Sequence, residues 1–466
     1  MPRFVFLYTD AVIWLVMLVI VLYAWHARRT PELAAKWKKL ASNKTALFCA
    51  GLLSVFFTVA LTDSLHFRPR LETPISQAVI YAPKTVSVLD FYVAEHIAGT
   101  ERSYSAPFSL FDWDKTTEIV DDKPVRRFAR LTGASPTVLP EGKTRALWSD
   151  FGRGVATGSG LSLSLLAIVA ALRRRRSESI FQSARRLVGD KNPLSPVLWV
   201  WMGAFFVVGL LWALWPSWHI FGTDAVGNDV LLSALKSVRT GVVIGTLATF
   251  CMLPPAILLG ITAGYFKGWI DDIIQYVYTT ITSIPSVLLI AASVLMIQVF
   301  IDTNPTLYET GLERADLRLF SLSVIIGVTS WAGLARLLRA ETMKLAETDF
   351  ITAAKSFGVS PFRIMERHIF PNVAHIVLIV AVLDFSGIVL YEAVLSYVGV
   401  GVDPAMASFG SMINSAASEM GRSPVVWWNL TASLLFMISL VLSANLFASG
   451  VREVFDPRVR RETNRA

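Results

Sequence analysis

Long apolar stretches alternate with shorter polar connections along the chain. Charged or turn-forming residues delimit nine apolar spans, at positions 4–25, 45–62, 155–172, 196–215, 241–265, 273–301, 319–338, 373–398 and 427–449. A helix of about 20 apolar residues is long enough to cross a hydrocarbon layer of about 30 Å. The pattern therefore predicts an all-α polytopic membrane protein.

Basic residues are concentrated in alternate connections. Lys and Arg are frequent in 26–44, in 173–195, in 339–372 and after 449, whereas 399–426 contains a single basic residue, Arg422. Because Lys and Arg resist translocation, the basic connections are predicted to be cytoplasmic. Nine spans with a cytoplasmic C-terminus would place the N-terminus outside.

The composition agrees with a membrane protein. Hydrophobic residues make up 54% of the 466 residues and charged residues only 17%, whereas typical soluble domains are about a quarter charged. An ordinary water-soluble enzyme is therefore excluded. The net charge of +8 follows from the predicted topology, so membrane lipid is an expected partner and nucleic acid is not.

The segment 63–150 is the one sizeable region outside the predicted spans. It contains eleven Lys or Arg and twelve Asp or Glu residues, and it has no cysteine. The run 85–93 is β-prone, with turn signals at Pro83, Gly99 and Pro107. We predict a small extracytoplasmic α+β domain without a disulfide.

The sequence has none of the usual signals of catalysis or of metal binding. It lacks a G-x-x-x-x-G-K-[ST] phosphate loop, its six histidines are scattered, and Cys49 and Cys251 lie within predicted spans. We interpret Gly158-Ser159-Gly160 as a helix-packing motif rather than the site of a serine nucleophile. No catalytic residue, metal site or cofactor is predicted in this chain, which favours transport or signalling.

Two acidic residues, Asp384 and Glu392, lie within the predicted span 373–398. A separation of eight residues corresponds to about 80° around a helix, so both side chains can face one polar interior. Carboxylates within membrane spans are costly and commonly functional. We predict a translocation pathway at these two residues. The alternative for Glu392 is solvation near the outer surface or capping of a neighbouring helix.

The connection 345–372 has a helix–turn–helix pattern. One helix-forming piece ends at Phe357, Gly358 and Pro361 mark a turn, and a second piece runs to His368. Four positions at helical spacing would form an apolar face: Phe350, Ala353, Ala354 and Phe357. Such a face is expected to lie on the bilayer, on the protein's own helices or on a partner.

This connection resembles the coupling loop, or EAA loop, of ABC importer permeases. The motif A-A-x3-G at 353–358, followed by H-I-x-P at 368–371, is similar to the peptide and nickel permease group. Thr352 stands where that family usually has glutamate. The resemblance implies contact with an ATPase through the following residues: Asp349, Phe350, Thr352, Ala353, Ala354, Phe357, Gly358, Pro361, His368 and Pro371.

Three further stretches resemble the same group and occur in its order. They are FGTDAVGNDVLLSALKSVRTGVVIG from Phe221, YEAVLSYVGVGVDPAMASFGSMI from Tyr391, and the closing VREVFDPRVR. Asn228 replaces the arginine that is usual in the first of them. The resemblance covers about 196–461 and is strongest to the second, C-type, permease of dipeptide and oligopeptide importers.

The resemblance implies a six-helix type I importer core over 196–466, with its coupling loop at 345–372. Before this core we expect two membrane helices in 1–62, the extracytoplasmic domain in 63–150, and a third membrane helix with a basic cytoplasmic linker in 151–195.

The resemblance also implies an importer in the bacterial inner membrane. Its other parts would be a second permease, two cytoplasmic ATPase subunits that hold ATP and Mg²⁺, and an extracytoplasmic substrate-binding protein, so this chain itself would not be an enzyme. Peptides are the expected substrates, and nickel and peptide antibiotics are the alternatives within the group. A proton-coupled secondary transporter that uses Asp384, or a membrane sensor, is the competing interpretation.

Overall fold

The computed structural model describes residues 3–71, 80–82, 85–94, 101–120, 123–134, 138–174, 178–189, 192–305, 308 and 310–455. The helices are α1 (Tyr8–Arg29), α2 (Pro31–Leu40), α3 (Lys44–Asp63), α4 (Val88–Ala94), α5 (Lys143–Leu172), α6 (Ile180–Val188), α7 (Ser195–Leu214), α8 (Val230–Phe266), α9 (Gly268–Ser283), α10 (Ser286–Thr303), α11 (Gly311–Ser330), α12 (Ala332–Ala346), α13 (Asp349–Ser356), α14 (Pro361–Ile364), α15 (Phe370–Tyr397), α16 (Phe409–Glu419) and α17 (Trp428–Phe455). The strands are β1 (Arg3–Val5), β2 (His66–Arg68), β3 (Arg70–Leu71), β4 (Ile80–Tyr81), β5 (Val86–Ser87), β6 (Phe111–Val120) and β7 (Lys123–Arg130).

Nine helical segments among the described residues are long and apolar enough to cross a membrane. Each of them overlaps one of the nine predicted spans, and the strands are confined to short sheets. The all-α polytopic fold with a small amount of sheet is thereby confirmed.

The predicted span 273–301 is interrupted by an extended residue between two helices, whereas Trp331, which separates α11 from α12 within the span 319–338, keeps helical angles. Ile284, which separates α9 from α10, has an extended backbone with φ −87° and ψ 132°. Pro285 explains the break, because a proline disfavours the helical conformation of the preceding residue and lacks a backbone N–H group. The prediction of one continuous helix was wrong here, and α10 alone provides the membrane-spanning segment.

The chain forms two compact units, which are described separately. The first unit comprises Met1–Phe6, Ala41–Thr240 and Met406–Ser443. The second unit comprises Leu7–Leu40, Gly241–Ala405 and Ala444–Ala466.

In the first unit, α5 and α7 pack closely through glycines. A methyl group built on Gly158 would lie 2.5 Å from the carbonyl oxygen of Phe206, and one on Gly209 would lie 2.5 Å from the backbone of Gly158. Thr157 Oγ1 donates a hydrogen bond to the carbonyl oxygen of Gly209 over 2.9 Å. Only residues without a side chain allow two membrane helices to approach this closely.

The first unit also contains the sheets. β2 pairs antiparallel with β1 and β5, β3 pairs with β4, and β6 and β7 form a hairpin. The β-prone run 85–93 is mostly helical, because Ser87 begins α4 by accepting a hydrogen bond at Oγ from the backbone N–H of Asp90 over 3.0 Å, as helix N-caps do. The strand prediction beyond Ser87 was therefore wrong. The turns predicted at Pro83 and Gly99 lie outside the described residues.

In the second unit, buried apolar residues of α8, α9 and α12 to α15 form one core cluster. α8 approaches α12 through two glycines. A methyl group built on Gly260 would lie 2.7 Å from the carbonyl oxygen of Ala335, and one on Gly264 would lie 2.6 Å from that of Arg339. Ile351, in the connection 345–372, is fully buried in the same cluster. The connection is therefore anchored to the helices of this unit.

Candidate functional site

A cavity of about 400 Å³ lies within the second unit. Its walls come from α8, α10, α11, α12 and α15, and its polar lining residues are Ser286, Ser330, Asp384 and Tyr391. The Tyr391 hydroxyl donates a hydrogen bond to Ser286 Oγ over 3.1 Å, which links α15 to α10. A mostly apolar wall with a few convergent polar groups is typical of a ligand pocket of this size.

Asp384 lies on the face of α15 that forms part of this cavity. The lining positions on α15 are 380, 384, 387, 388 and 391. At about 100° per residue, these positions lie on one arc of the helix, from about 60° on one side of Asp384 to about 40° on the other side. The Asp384 side chain is half-buried. Among the described residues that line the cavity, it alone carries a formal charge.

Glu392 lies at about +80° from Asp384 around α15, outside this arc. It is 1% exposed, and its Oε1 accepts a hydrogen bond from Ser396 Oγ over 2.6 Å. Ser396 Oγ in turn accepts one from the backbone N–H of Val402 over 3.1 Å. The structure thus separates the two predicted acids: Asp384 lines the cavity, and Glu392 supports the turn that follows α15.

The connection 345–372 has two short helices separated by a glycine turn. α13 ends at Ser356, and Gly358 adopts a positive φ of 72°. The backbone N–H of Val359 donates to the carbonyl oxygen of Ala354, and that of Gly358 donates to Lys355. These two bonds form a Schellman motif, which requires a left-handed residue after the helix and explains the glycine.

Two prolines determine the backbone that follows. Pro361 is the first residue of α14, where its missing N–H costs no hydrogen bond. A single π-helical turn, Met365–Ile369, then leads into α15, and Pro371 lies in the first turn of that helix. Because Pro371 cannot donate a backbone hydrogen bond and crowds the preceding turn, it explains the wider turn.

The apolar residues of α13 form two faces rather than the single predicted face. Ile351 and Ala354 are buried in the core cluster of the second unit. Phe350 is 48% exposed and Phe357 is 87% exposed. Ala353 is also exposed, so Ala354 alone of the four predicted positions is buried.

The remaining predicted residues of the connection lie near these two faces. Asp349, Thr352 and Pro361 are exposed. His368 is half-buried, and the centre of its ring lies 6.4 Å from that of Phe350. The structure therefore brings the predicted loop residues together on one short segment, at a distance along α15 from the cavity.

A cation–π contact joins this connection to α8, and an ion pair stabilises the first turn of α9. Lys355 Nζ lies 4.8 Å from the centre of the Tyr265 ring. Asp271 accepts hydrogen bonds from Arg339 Nε over 2.5 Å and from Arg339 Nη2 over 2.6 Å. This bidentate contact lowers the pKa of the Asp271 carboxyl.

A buried charged cluster lies in the first unit. His219 Nδ1 is 2.8 Å from Asp229 Oδ2, and His219 Nε2 is 3.4 Å from Glu101 Oε1. Burial alone would lower the pKa of His219, but hydrogen bonds to the two carboxylates outweigh it and raise the pKa to about 9. Burial would raise the pKa of Glu101, yet hydrogen bonds from His219 and from the backbone N–H groups of Gly133 and Thr132 lower it to about 2. The imidazole therefore lies between two buried carboxyl groups, and the raised pKa of His219 favours its protonated form.

Comparison with known proteins identifies the family. Residues 256–461 match the family described as binding-protein-dependent transport system inner membrane component. The oligopeptide transport system permease protein OppC of Mycobacterium tuberculosis is 31% identical over 242 residues, which cover 52% of this chain and 77% of that protein. This chain belongs to the family of binding-protein-dependent transport system inner membrane components.

Other permeases are similar over a comparable length. OppC of Haemophilus influenzae is 28% identical over 244 residues, covering 52% of this permease and 72% of that protein. The dipeptide transport system permease protein DppC of Lactococcus lactis subsp. cremoris is 27% identical over 240 residues, covering 52% of this permease and 64% of that protein. The family resemblance carried by the sequence motifs is confirmed, and the chain is a multi-pass membrane permease.

The family region of this permease includes the connection 345–372 and every cavity-lining residue except Met252. Sequence reasoning missed Ser286 and Ser330, because single serines in apolar spans carry no distinctive signal. Pro285 could have indicated the helix break beside Ser286. The pairing of Glu101 with His219 joins residues 118 positions apart, and no spacing rule predicts it.

Proposed function

We propose that this permease forms the translocation pathway for peptides in an ABC importer. Its relatives in Haemophilus influenzae, Mycobacterium tuberculosis and Lactococcus lactis are named as oligopeptide or dipeptide permeases. The cavity supports the same function, because a peptide backbone needs hydrogen-bonding groups within an otherwise apolar pathway. Ser286, Ser330 and Tyr391 supply hydroxyls there, and Asp384 supplies a carboxylate.

The importer would contain three further kinds of subunit. These are a second permease, two cytoplasmic ATPase subunits and an extracytoplasmic substrate-binding protein. The family description as a binding-protein-dependent transport component supports this composition. ATP and Mg²⁺ would be held by the ATPase subunits, so this permease would move substrate without hydrolysing ATP itself.

The orientation of the permease follows from its basic connections. Arg28, Arg29 and Lys36 lie in one of them, and Lys355 and Arg363 lie in another. Both connections would be cytoplasmic because Lys and Arg resist translocation. The C-terminus would then be cytoplasmic, and the N-terminus and the segment 63–150 would be extracytoplasmic.

The observation that carries the coupling role is the exposed aromatic surface of the connection 345–372. Phe357 is 87% exposed and Phe362 is 70% exposed, on a segment whose opposite face is buried in the core. Such a surface is suited to a partner that excludes water from it. ATPase closure would move this segment together with α15 and so open or close the cavity.

Phe357→Ser tests the coupling role. The side chain makes few contacts within the chain, so we expect folding to be unchanged. Burying a phenylalanine contributes roughly 2–3 kcal/mol, which corresponds to roughly 30- to 150-fold in affinity. We therefore expect the ATPase subunits to be lost during purification and ATP-driven uptake of radiolabelled Ala-Ala-Ala to fall strongly.

Phe181→Ser is the matched control. Phe181 is 78% exposed on α6, outside the family region, and its replacement is expected to leave ATPase association unchanged. Normal association and uptake by the Phe357→Ser protein would contradict the coupling role. Uptake that requires a proton gradient and no ATP would contradict the importer and favour a secondary transporter.

A further inference from the structure

Asp384 has no counter-charge in the part of the chain that the structure describes. The lining of the cavity contains no Lys, Arg or His side chain among those residues. Asp384 takes part in no ion pair or hydrogen bond there. Arg318, Arg339 and Lys267 of the same unit are each paired with a different carboxylate, on Asp403, Asp271 and Glu347 respectively.

An unpaired carboxylate in a membrane-spanning helix is costly. The cost falls when a cation approaches, because the attraction between opposite charges is strong in a medium of low dielectric. A cavity with one carboxylate and several hydroxyls therefore favours a positively charged ligand that can donate several hydrogen bonds. An ammonium group has this chemistry, since it donates three hydrogen bonds and carries a single charge.

We infer that Asp384 binds the α-ammonium group of the transported peptide. This inference rests on the proposed function, which supplies peptides as the substrate. The hydroxyls of Ser286, Ser330 and Tyr391 line the same cavity, and they can bind the ammonium group or the first peptide carbonyl. A cavity of about 400 Å³ has room for a short peptide.

The α-ammonium group is the part of the substrate that a lone carboxylate can recognise in every peptide. Side chains vary between peptides, whereas each linear peptide has an amino terminus. Asp384 would thus hold different peptides in one register while the apolar wall tolerates their side chains. This makes Asp384 a specificity-determining residue of the permease, acting after the binding protein has delivered the substrate.

The test compares two peptides of almost identical shape in the complete importer reconstituted in liposomes. One is Ala-Ala-Ala, and the other is propionyl-Ala-Ala, in which a hydrogen replaces the amino group. We expect the ratio of their ATP-driven uptake rates to fall at least tenfold from wild type to Asp384→Asn, since a charge-assisted hydrogen bond contributes roughly 1.5–3 kcal/mol. The binding protein is the same in both assays, so its own preference cancels from this comparison.

Two variants control for the effects of charge removal. Asp384→Glu keeps the carboxylate and is expected to retain a preference for Ala-Ala-Ala. Asp272→Asn removes an exposed carboxylate of α9 outside the cavity lining and is expected to leave the ratio unchanged.

The outcomes separate the inference from the proposed function. An unchanged ratio in Asp384→Asn would overturn the inference while peptide import by the wild type still stood. Loss of the second permease from purified Asp384→Asn would also overturn it, because Asp384 would then be a subunit contact. Absence of ATP-driven uptake of Ala-Ala-Ala by the wild type would refute the proposed function itself.

Discussion

Gly358 shows how one residue determines the shape of the connection between α13 and α14. No atom of the described residues lies within 4 Å of a methyl group built on it, so within this chain its φ of +72° is what favours glycine. We expect Gly358→Val to cost about 1–2 kcal/mol, because a left-handed backbone is unfavourable for residues with a Cβ atom. The Schellman hydrogen bonds would be lost, and co-purification of the ATPase subunits should decrease.

Gly358→Asn is the matched control, because asparagine tolerates the left-handed region better than other residues. It should retain more ATPase association and more peptide uptake than the valine variant. Equal loss in both variants would mean that the side chain, rather than the backbone conformation, disturbs the contact.

The cluster of Glu101, His219 and Asp229 makes stability dependent on pH. The pKa of His219 is raised from 6.5 to about 9, so its contribution is complete below pH 6.5 and is lost as the pH rises through 9. The pKa of Glu101 is lowered from 4.5 to about 2, so its contribution is present above pH 4.5 and is lost as the pH falls towards 2. Stabilisation by the cluster is therefore largest between pH 4.5 and pH 6.5, where both contributions are complete.

His219→Gln should be destabilising by roughly 3–5 kcal/mol near pH 6, because it leaves two buried carboxylates without their cation. Thermal unfolding of the detergent-purified protein measures this loss. The difference between wild type and variant should shrink at pH 10, where the wild-type imidazole is neutral. A difference that does not depend on pH would show that His219 contributes through packing alone.

At the scale of elements, the pair α5 and α7 offers a direct test of helix packing. Gly158 and Gly160 belong to one motif, yet a methyl group on Gly158 would meet Phe206, whereas one on Gly160 would have no atom of the described residues within 4 Å. We expect Gly158→Ala to destabilise the protein by roughly 1–3 kcal/mol through overpacking. Gly160→Ala should be neutral or stabilising by up to about 1 kcal/mol, since alanine favours helices.

Thermal unfolding of the two alanine variants in the same detergent would decide the matter. A decrease in unfolding temperature for Gly158→Ala alone would agree with the close contact between α5 and α7. Similar values for both variants would contradict that contact.

The elements also show what sequence patterns can predict and where they stop. Apolar length predicted all nine spanning segments, because it depends only on the chain itself. The break at Pro285 was missed because hydropathy does not register a missing backbone donor. The prediction placed Ala354 and Phe357 on one apolar face, because spacing alone cannot show that Ala354 is buried and Phe357 is exposed.

The same limit applies to the acids of α15. Helical geometry correctly gave an angle of about 80° between Asp384 and Glu392. It could not show that the cavity occupies a narrower arc, which depends on the neighbouring helices. Ser396 and the backbone of Val402 provide Glu392 with a local role that no spacing predicts.

For the whole molecule, the proposed orientation can be tested by labelling single cysteines. Cys49 and Cys251 would first be replaced by serine, and a cysteine would then be introduced by Glu141→Cys or by Ser356→Cys, both at exposed positions. A membrane-impermeant maleimide should label position 141 in right-side-out vesicles and position 356 in inside-out vesicles. The opposite pattern would refute the orientation inferred from the basic connections.

α15 is one helix of 28 residues that begins beside the exposed loop and carries Asp384 at its middle. Asp384 lies 14 positions after Phe370, which corresponds to an axial distance of about 21 Å. An unbroken helix keeps this distance nearly constant, since stretching it would break several backbone hydrogen bonds. A displacement of the loop along the axis of α15 is therefore transmitted through the helix to Asp384. The carboxylate in the cavity then moves by about the same distance as the loop.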